Sequence, residues 1–149
     1  LCNTVHYWKP YLNLGNIKFI DIIEITKNYI ENRGINKVIL LATKGTYKTK
    51  LYNKYFGDNL IIPENNYKNK LMEIIYNCKK GIDNLDSLKK LICEMSNEYM
   101  FEGIILGCTE LSILLEDKYK INNKEIFDPI FLSAVKIIEI YNFPNYKIP

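Results

Sequence analysis

The chain has 149 residues, of which 48% are hydrophobic and 25% charged, and its net charge of +3 is spread along the whole length. That is the size of one domain, or of two small lobes sharing a core, with an ordinary globular composition. No cluster of basic residues marks a nucleic-acid footprint, no apolar run reaches a membrane span, and no signal peptide is evident, so no nucleic-acid or membrane partner is expected.

Taken in chain order, Asn16 to Glu31 place Ile20, Ile23 and Ile30 at helical spacing, with Gly34 placed to end the helix. Lys37–Ala42 is a short apolar, β-branched run that predicts a buried parallel strand. Thr43-Lys44-Gly45-Thr46 reads as a turn. A helix with Leu51, Tyr52 and Tyr55 is predicted to run to Gly57, followed by a strand from Leu60 to Ile62 that Pro63 closes. Tyr67 to Lys80 predicts a helix with Leu71, Ile74, Ile75 and Cys78 inward. The clearest helical stripe is Leu85, Leu88, Leu91, Ile92, Met95 and Tyr99. Gly103–Leu106 is a second buried strand, followed at once by Gly107-Cys108-Thr109-Glu110. Glu125–Phe127 predicts a short strand and Ile130–Tyr141 a closing amphipathic helix.

Strands alternating with helices predict an α/β sandwich with a mostly parallel sheet. Lys37–Ala42 and Gly103–Leu106 are apolar throughout, so they are expected adjacent or near-adjacent at its centre. Ligands in such folds bind at the carboxyl ends of the strands. Three polar turns belong to that edge: the segment around Cys2, the Thr43 turn and the Cys108 turn. Cys2-Asn3-Thr4 and Cys108-Thr109-Glu110 echo each other, as a pseudo-symmetric site between two lobes would require.

The four cysteines are Cys2, Cys78, Cys93 and Cys108, with no C-x-x-C pair, and His6 is the sole histidine. A structural zinc site is therefore not expected, and without a secretory signal the thiols are expected reduced, in the cytoplasm. A cysteine at a strand-to-helix turn sits where backbone N–H groups favour its thiolate. Cys2 and Cys108 have that setting. Cys78 and Cys93 lie among apolar residues of helical stripes and read as small buried hydrophobes.

Leu1-Cys2-Asn3-Thr4-Val5-His6-Tyr7 resembles the C-N-T-x-H motif of the aspartate/glutamate racemase family. Leu40-Leu41-Ala42-Thr43-Lys44-Gly45-Thr46 resembles its L-L-A-T-x-G-T segment, with Leu51-Tyr52 following. Ile105-Leu106-Gly107-Cys108-Thr109-Glu110-Leu111 resembles its second cysteine motif, and Phe127-Asp128-Pro129 its closing segment. The resemblance implies two pseudo-symmetric α/β lobes, no pyridoxal phosphate or other cofactor, and no metal. It implies an amino-acid substrate, aspartate or glutamate, held between Cys2 and Cys108. One thiolate removes the α-proton and the other thiol returns a proton to the opposite face.

The α-proton beside a carboxylate is very weakly acidic, so charge developing on that carboxylate needs preorganised donors, each worth about 3 kcal/mol. Asn3, Thr4, Thr46 and Thr109 are the candidates. Thr43 is either a further donor or a plain helix cap. Cys78-Lys79-Lys80-Gly81 resembles a family segment whose lysine faces the substrate side-chain carboxylate. Lys79 is the better match, against a solvated lysine at a helix end. His6 either assists proton transfer or is packed as a satisfied polar residue. Glu110 either holds a thiol or the substrate ammonium, or caps a helix starting near Leu111.

In the family about a third of the chain precedes the first cysteine motif and supplies a substrate-binding arginine. Arg33, the only arginine here, does not match it. The expected organisation is therefore a truncated first lobe in residues 1–33, a second α/β lobe in 34–126, and a C-terminal helix in 127–149 returning to the first. A lobe so shortened exposes apolar surface, and a homodimer is expected to cover it. Three functions follow: racemisation of aspartate or glutamate, a related two-cysteine reaction on hydantoins or maleate, or a non-catalytic remnant that keeps the fold.

Overall fold

The computed structural model describes residues 3–115 and 120–141, with side chains from His6 onward. Asn3–Tyr11 forms a leading 3-10 helix, an element the periodicity does not announce. Helix α1 spans Ile22–Asn32, starting six residues later than the apolar spacing suggests. The reason is Asp21, whose Oδ1 accepts from the Ile23 and Glu24 N–H groups at 3.1 and 3.2 Å and caps the helix there. Gly34, at φ 71°, ends it as expected, its N–H reaching Glu31 O at 2.9 Å.

Strand β1 is Val38–Ala42, buried at every position. Helix α2, Lys44–Thr49, begins at once, so the stretch read as a turn is the cap and first turn of a helix. Lys50, at φ 50°, breaks it from α3, Leu51–Phe56. Strand β2 keeps only Leu60–Ile61, because it lies at the sheet edge and just two residues find partners in β1. Helices α4, Asn65–Lys79, and α5, Leu85–Glu98, pair before the fully buried β3, Gly103–Gly107. A short α6, Thr109–Leu114, follows directly. Strands β4, Lys120–Ile121, and β5, Lys124–Phe127, form a hairpin, and α7, Pro129–Tyr141, packs along α1.

The sheet order is β2-β1-β3-β5-β4, parallel except for β4. The two apolar runs are adjacent at its centre, in register from Val38↔Gly103 to Ala42↔Gly107. Alternate residues feed two cores, as the pleat requires. Ile39, Leu41, Ile104 and Leu106 meet α4, α5 and α6 on one face. Val38, Leu40, Ala42 and Ile105 meet α1, α3 and α7 on the other. The molecule is thus a three-layer α/β sandwich.

Cys93 is exposed and Cys78 half-buried, so neither is the fully buried hydrophobe the stripes implied. The inward face of α5 is built from Leu88, Leu91, Ile92 and Met95, and position 93 points away from it. No helix among the described residues is long and apolar enough to cross a membrane.

Candidate functional site

Because Ala42 and Gly107 pair in register, Thr43 and Cys108 leave adjacent strands side by side at the carboxyl edge. Gly107 permits this closeness. A Cβ built there would lie 2.8 Å from Ala42 Cβ and 2.9 Å from Leu40 Cδ1, inside any real carbon–carbon contact. The glycine before Cys108 is therefore a packing requirement of the central strand pair.

Cys108 is buried and occupies the N-cap position of α6. Its thiol donates to Glu110 Oε2 at 2.8 Å. The Thr109 hydroxyl donates to the same oxygen at 2.9 Å, and Lys79 Nζ lies 3.3 Å from Oε1. One carboxylate thus gathers the thiol, a hydroxyl and an ammonium carried by α6 and α4. The electrostatics differ from the sequence expectation. Burial first, and then the hydrogen bond and charge of Glu110, push the Cys108 thiol up to about 12, against a weaker lowering by backbone N–H. Burial opposes the charge on Glu110, but the donors Cys108, Thr109 and Lys79, with its own backbone N–H, outweigh it and hold the carboxyl at about 2. The proton stays on sulfur and the negative charge on Glu110. The Glu110 hydrogen bond, with coulombic help, raises the Lys79 ammonium above its ordinary value.

Across the edge, Thr43 Oγ1 accepts the Thr46 N–H at 3.4 Å and caps α2, while the two hydroxyls lie 3.3 Å apart. Thr46 is buried. Tyr47 locks the end of β1: its hydroxyl donates to Leu40 O at 2.9 Å and accepts the Ala42 N–H at 3.0 Å. Burial drives its phenol well above the ordinary range, against a weaker lowering by the Ala42 N–H.

The leading 3-10 helix packs against α2, beside this edge. Asn3 and Thr4 belong to its backbone. Cys2 lies outside the described residues, as do the side chains of Asn3 and Thr4. His6 is buried, with Nε2 accepting the Ile22 N–H at 3.2 Å and its ring edge-on to Phe19. It is engaged at the start of α1, in the manner of a packed, hydrogen-bonded residue.

The structure therefore assembles Cys108, Thr109, Glu110 and Lys79 directly, and sets Thr43 and Thr46 on the neighbouring turn. Three residues here escaped the sequence. Cys78 donates through Sγ to Glu110 O at 3.6 Å. Tyr47 gave no signal, since its role depends on the close of β1. Asp21, buried beneath the leading helix, did leave a signal: Asp21-Ile22-Ile23-Glu24 has the spacing of a capping box.

No protein-family model matches the sequence. An uncharacterised protein encoded in the pnlA 3′ region of Pectobacterium carotovorum subsp. carotovorum is 32% identical over 138 residues, covering 87% of this chain and 89% of its own length. Among solved structures, an aspartate racemase homologue from Pyrococcus horikoshii is 28% identical with a TM-score of 0.82, covering 95% of this chain and 64% of that one. An aspartate racemase from Picrophilus torridus shares the fold at 22% identity and a TM-score of 0.75, with 95% and 60% of the chains covered. Glutamate racemase from Francisella tularensis, solved with D-glutamate, shares it at 19% identity and 0.65, with 99% and 58% covered. The chain thus spans about three fifths of the length of these solved proteins. With the cysteine, threonine and aspartate-proline motifs in order, the chain shares the fold of the aspartate and glutamate racemases and is similar to them.

Proposed function

We propose that the chain carries the acid–base machinery of an amino-acid racemase that interconverts L- and D-aspartate, or glutamate, through two thiols and without a cofactor. The observation that supports this best is the chain of contacts Cys108 Sγ–Glu110–Lys79, at 2.8 and 3.3 Å, at the carboxyl end of β3. Cys108 rests as a thiol and so is the proton donor to one face of the α-carbon. Cys2 is the base on the opposite face. When the reaction runs backward the roles exchange. A thiolate whose conjugate acid sits near 12 is a stronger base than an ordinary one. That narrows its gap to the very weakly acidic α-proton.

The developing charge on the substrate carboxylate falls to Asn3, Thr4, Thr46 and Thr109 with their backbone N–H groups. Lys79 takes the side-chain carboxylate. That ammonium already pairs with a carboxylate, Glu110, which favours an acidic substrate over a neutral hydantoin. Glu110, released from Lys79, is then free for the substrate ammonium.

The test is chiral chromatography of the purified protein with each enantiomer of aspartate and glutamate, and with hydantoin and maleate in parallel. Interconversion of the acidic amino acids is the expected outcome. Lys79→Met is expected to raise KM about tenfold or more with a smaller change in kcat. Turnover of hydantoin or maleate in preference would overturn the substrate assignment.

A further inference from the structure

Strand β2 accompanies β1 for two residues, Val38↔Leu60 and Ile39↔Ile61. Continued in that register, Pro63 would stand opposite Leu41, and proline has no N–H to give to a ladder. On its other side β1 is paired with β3 as far as Ala42↔Gly107. In a parallel ladder the residue opposite Leu41 donates its N–H to Leu40 O and accepts the Ala42 N–H. Both groups have one partner here, the Tyr47 hydroxyl, which donates to Leu40 O at 2.9 Å and accepts the Ala42 N–H at 3.0 Å. A phenol oxygen can do this because it is donor and acceptor at once. The ring packs against the core that holds Val38 and Leu40, and Lys68 Nζ from α4 lies 5.1 Å from its centroid. The Tyr47 N–H bonds back to Thr43 O at 3.2 Å, so Tyr47 also closes the first turn of α2. Inside that turn is Thr46, buried, with its hydroxyl 3.3 Å from Thr43 Oγ1. A helix of six residues has too few bonds of its own to hold its place, and the phenol supplies the tie.

We propose that Tyr47 is a positioning residue for Thr46: its hydroxyl takes the part of a strand partner at the end of β1, ties the first turn of α2 to that strand, and so fixes the Thr46 hydroxyl at the carboxyl edge. What this does for turnover rests on the function proposed above, in which Thr46 meets the charge developing on the substrate carboxylate. The tie itself does not rest on it.

The experiment follows single amides by NMR hydrogen exchange in the isotope-labelled full chain, in wild type and in Tyr47→Phe, which removes the hydroxyl and keeps the ring. In wild type the Ala42 amide, which β2 does not reach, is expected to be protected about a hundredfold or more. In Tyr47→Phe the Ala42 and Thr46 amides are expected to exchange about tenfold or more faster relative to Ile104 and Ile105 of β3. A general loss of stability speeds those core amides at least as much and cannot raise that ratio. An unprotected Ala42 in wild type, or an unraised ratio in Tyr47→Phe, would overturn the proposal. The second arm is turnover. Tyr47→Phe is expected to lower kcat about tenfold with KM within about threefold, and to cost less than about twofold in a Thr46→Val background. Independent, multiplying losses would show that Tyr47 does not act through Thr46 and would overturn the positioning role. Absence of racemase activity would defeat the functional proposal and leave this one to the exchange result.

Discussion

At Cys108 two effects oppose each other. A helix N-terminus lowers a thiol's pKa, but α6 has only six residues, and burial with the Glu110 carboxylate raises it to about 12. Glu110→Gln removes the like charge, so the thiol should fall toward its ordinary range. Alkylation rate against pH should show the midpoint moving down by about a unit or more; an unmoved midpoint would mean that burial alone sets it. The acid side carries a second prediction. The Glu110 carboxyl, held at about 2 in the fold, has an ordinary value near 4.3 when unfolded. Its contribution to stability is full above the unfolded value and is lost as pH falls toward the folded one. Asp21 has the same sign: burial opposes its charge, but the donors Tyr55, Lys9 and the Glu24 N–H outweigh it and lower its pKa. The melting temperature should therefore drop on acidification below about pH 4, and less steeply in Glu110→Gln than in wild type. Equal slopes would contradict this. Cys108 was legible as a chemical residue from its turn. The direction of its pKa was not, because that depends on which carboxylate folds against the sulfur.

At the scale of elements, the strands that could be read were those buried on both faces. β1 and β3 are continuous apolar runs, buried at every position. Gly107 is the position where this pairing is tightest. Gly107→Ala should destabilise the fold by about 1–3 kcal/mol, as overpacking does, measured by urea denaturation. A change near zero would show that β1 and β3 can separate without cost. The β4–β5 hairpin was half-read: β5 was expected and β4 was not. Its turn is Asn122-Asn123, at φ 49° and 62°, a conformation that asparagine tolerates and that suits a tight hairpin. Helix α1 starts later than the apolar spacing predicts for a different reason. Apolar periodicity continues through Ile17 and Ile20, while the chain is stopped locally by Asp21, whose cap geometry outranks the pattern. The leading helix was not legible at all, since the partners of its Lys9 and His6, the Asp21 carboxylate and the Ile22 N–H, lie outside its own sequence.

For the whole molecule, the leading segment exposes Trp8, Tyr11 and Ile17, at 54%, 75% and 73%. Exposed apolar side chains favour self-association, and a two-fold dimer is the simplest closed form. Light scattering should report a dimer at micromolar concentration, and a stable monomer would contradict that expectation. The central claim concerns two proton carriers on opposite faces of one carbon. It is tested most directly by incubating the protein in heavy water and following deuterium at the α-carbon of L- and D-aspartate. Wild type should wash deuterium into both enantiomers as they interconvert. Cys108→Ser should lose interconversion by about a thousandfold or more, with any remaining exchange confined to one enantiomer. Undiminished racemisation by Cys108→Ser would contradict the two-thiol account.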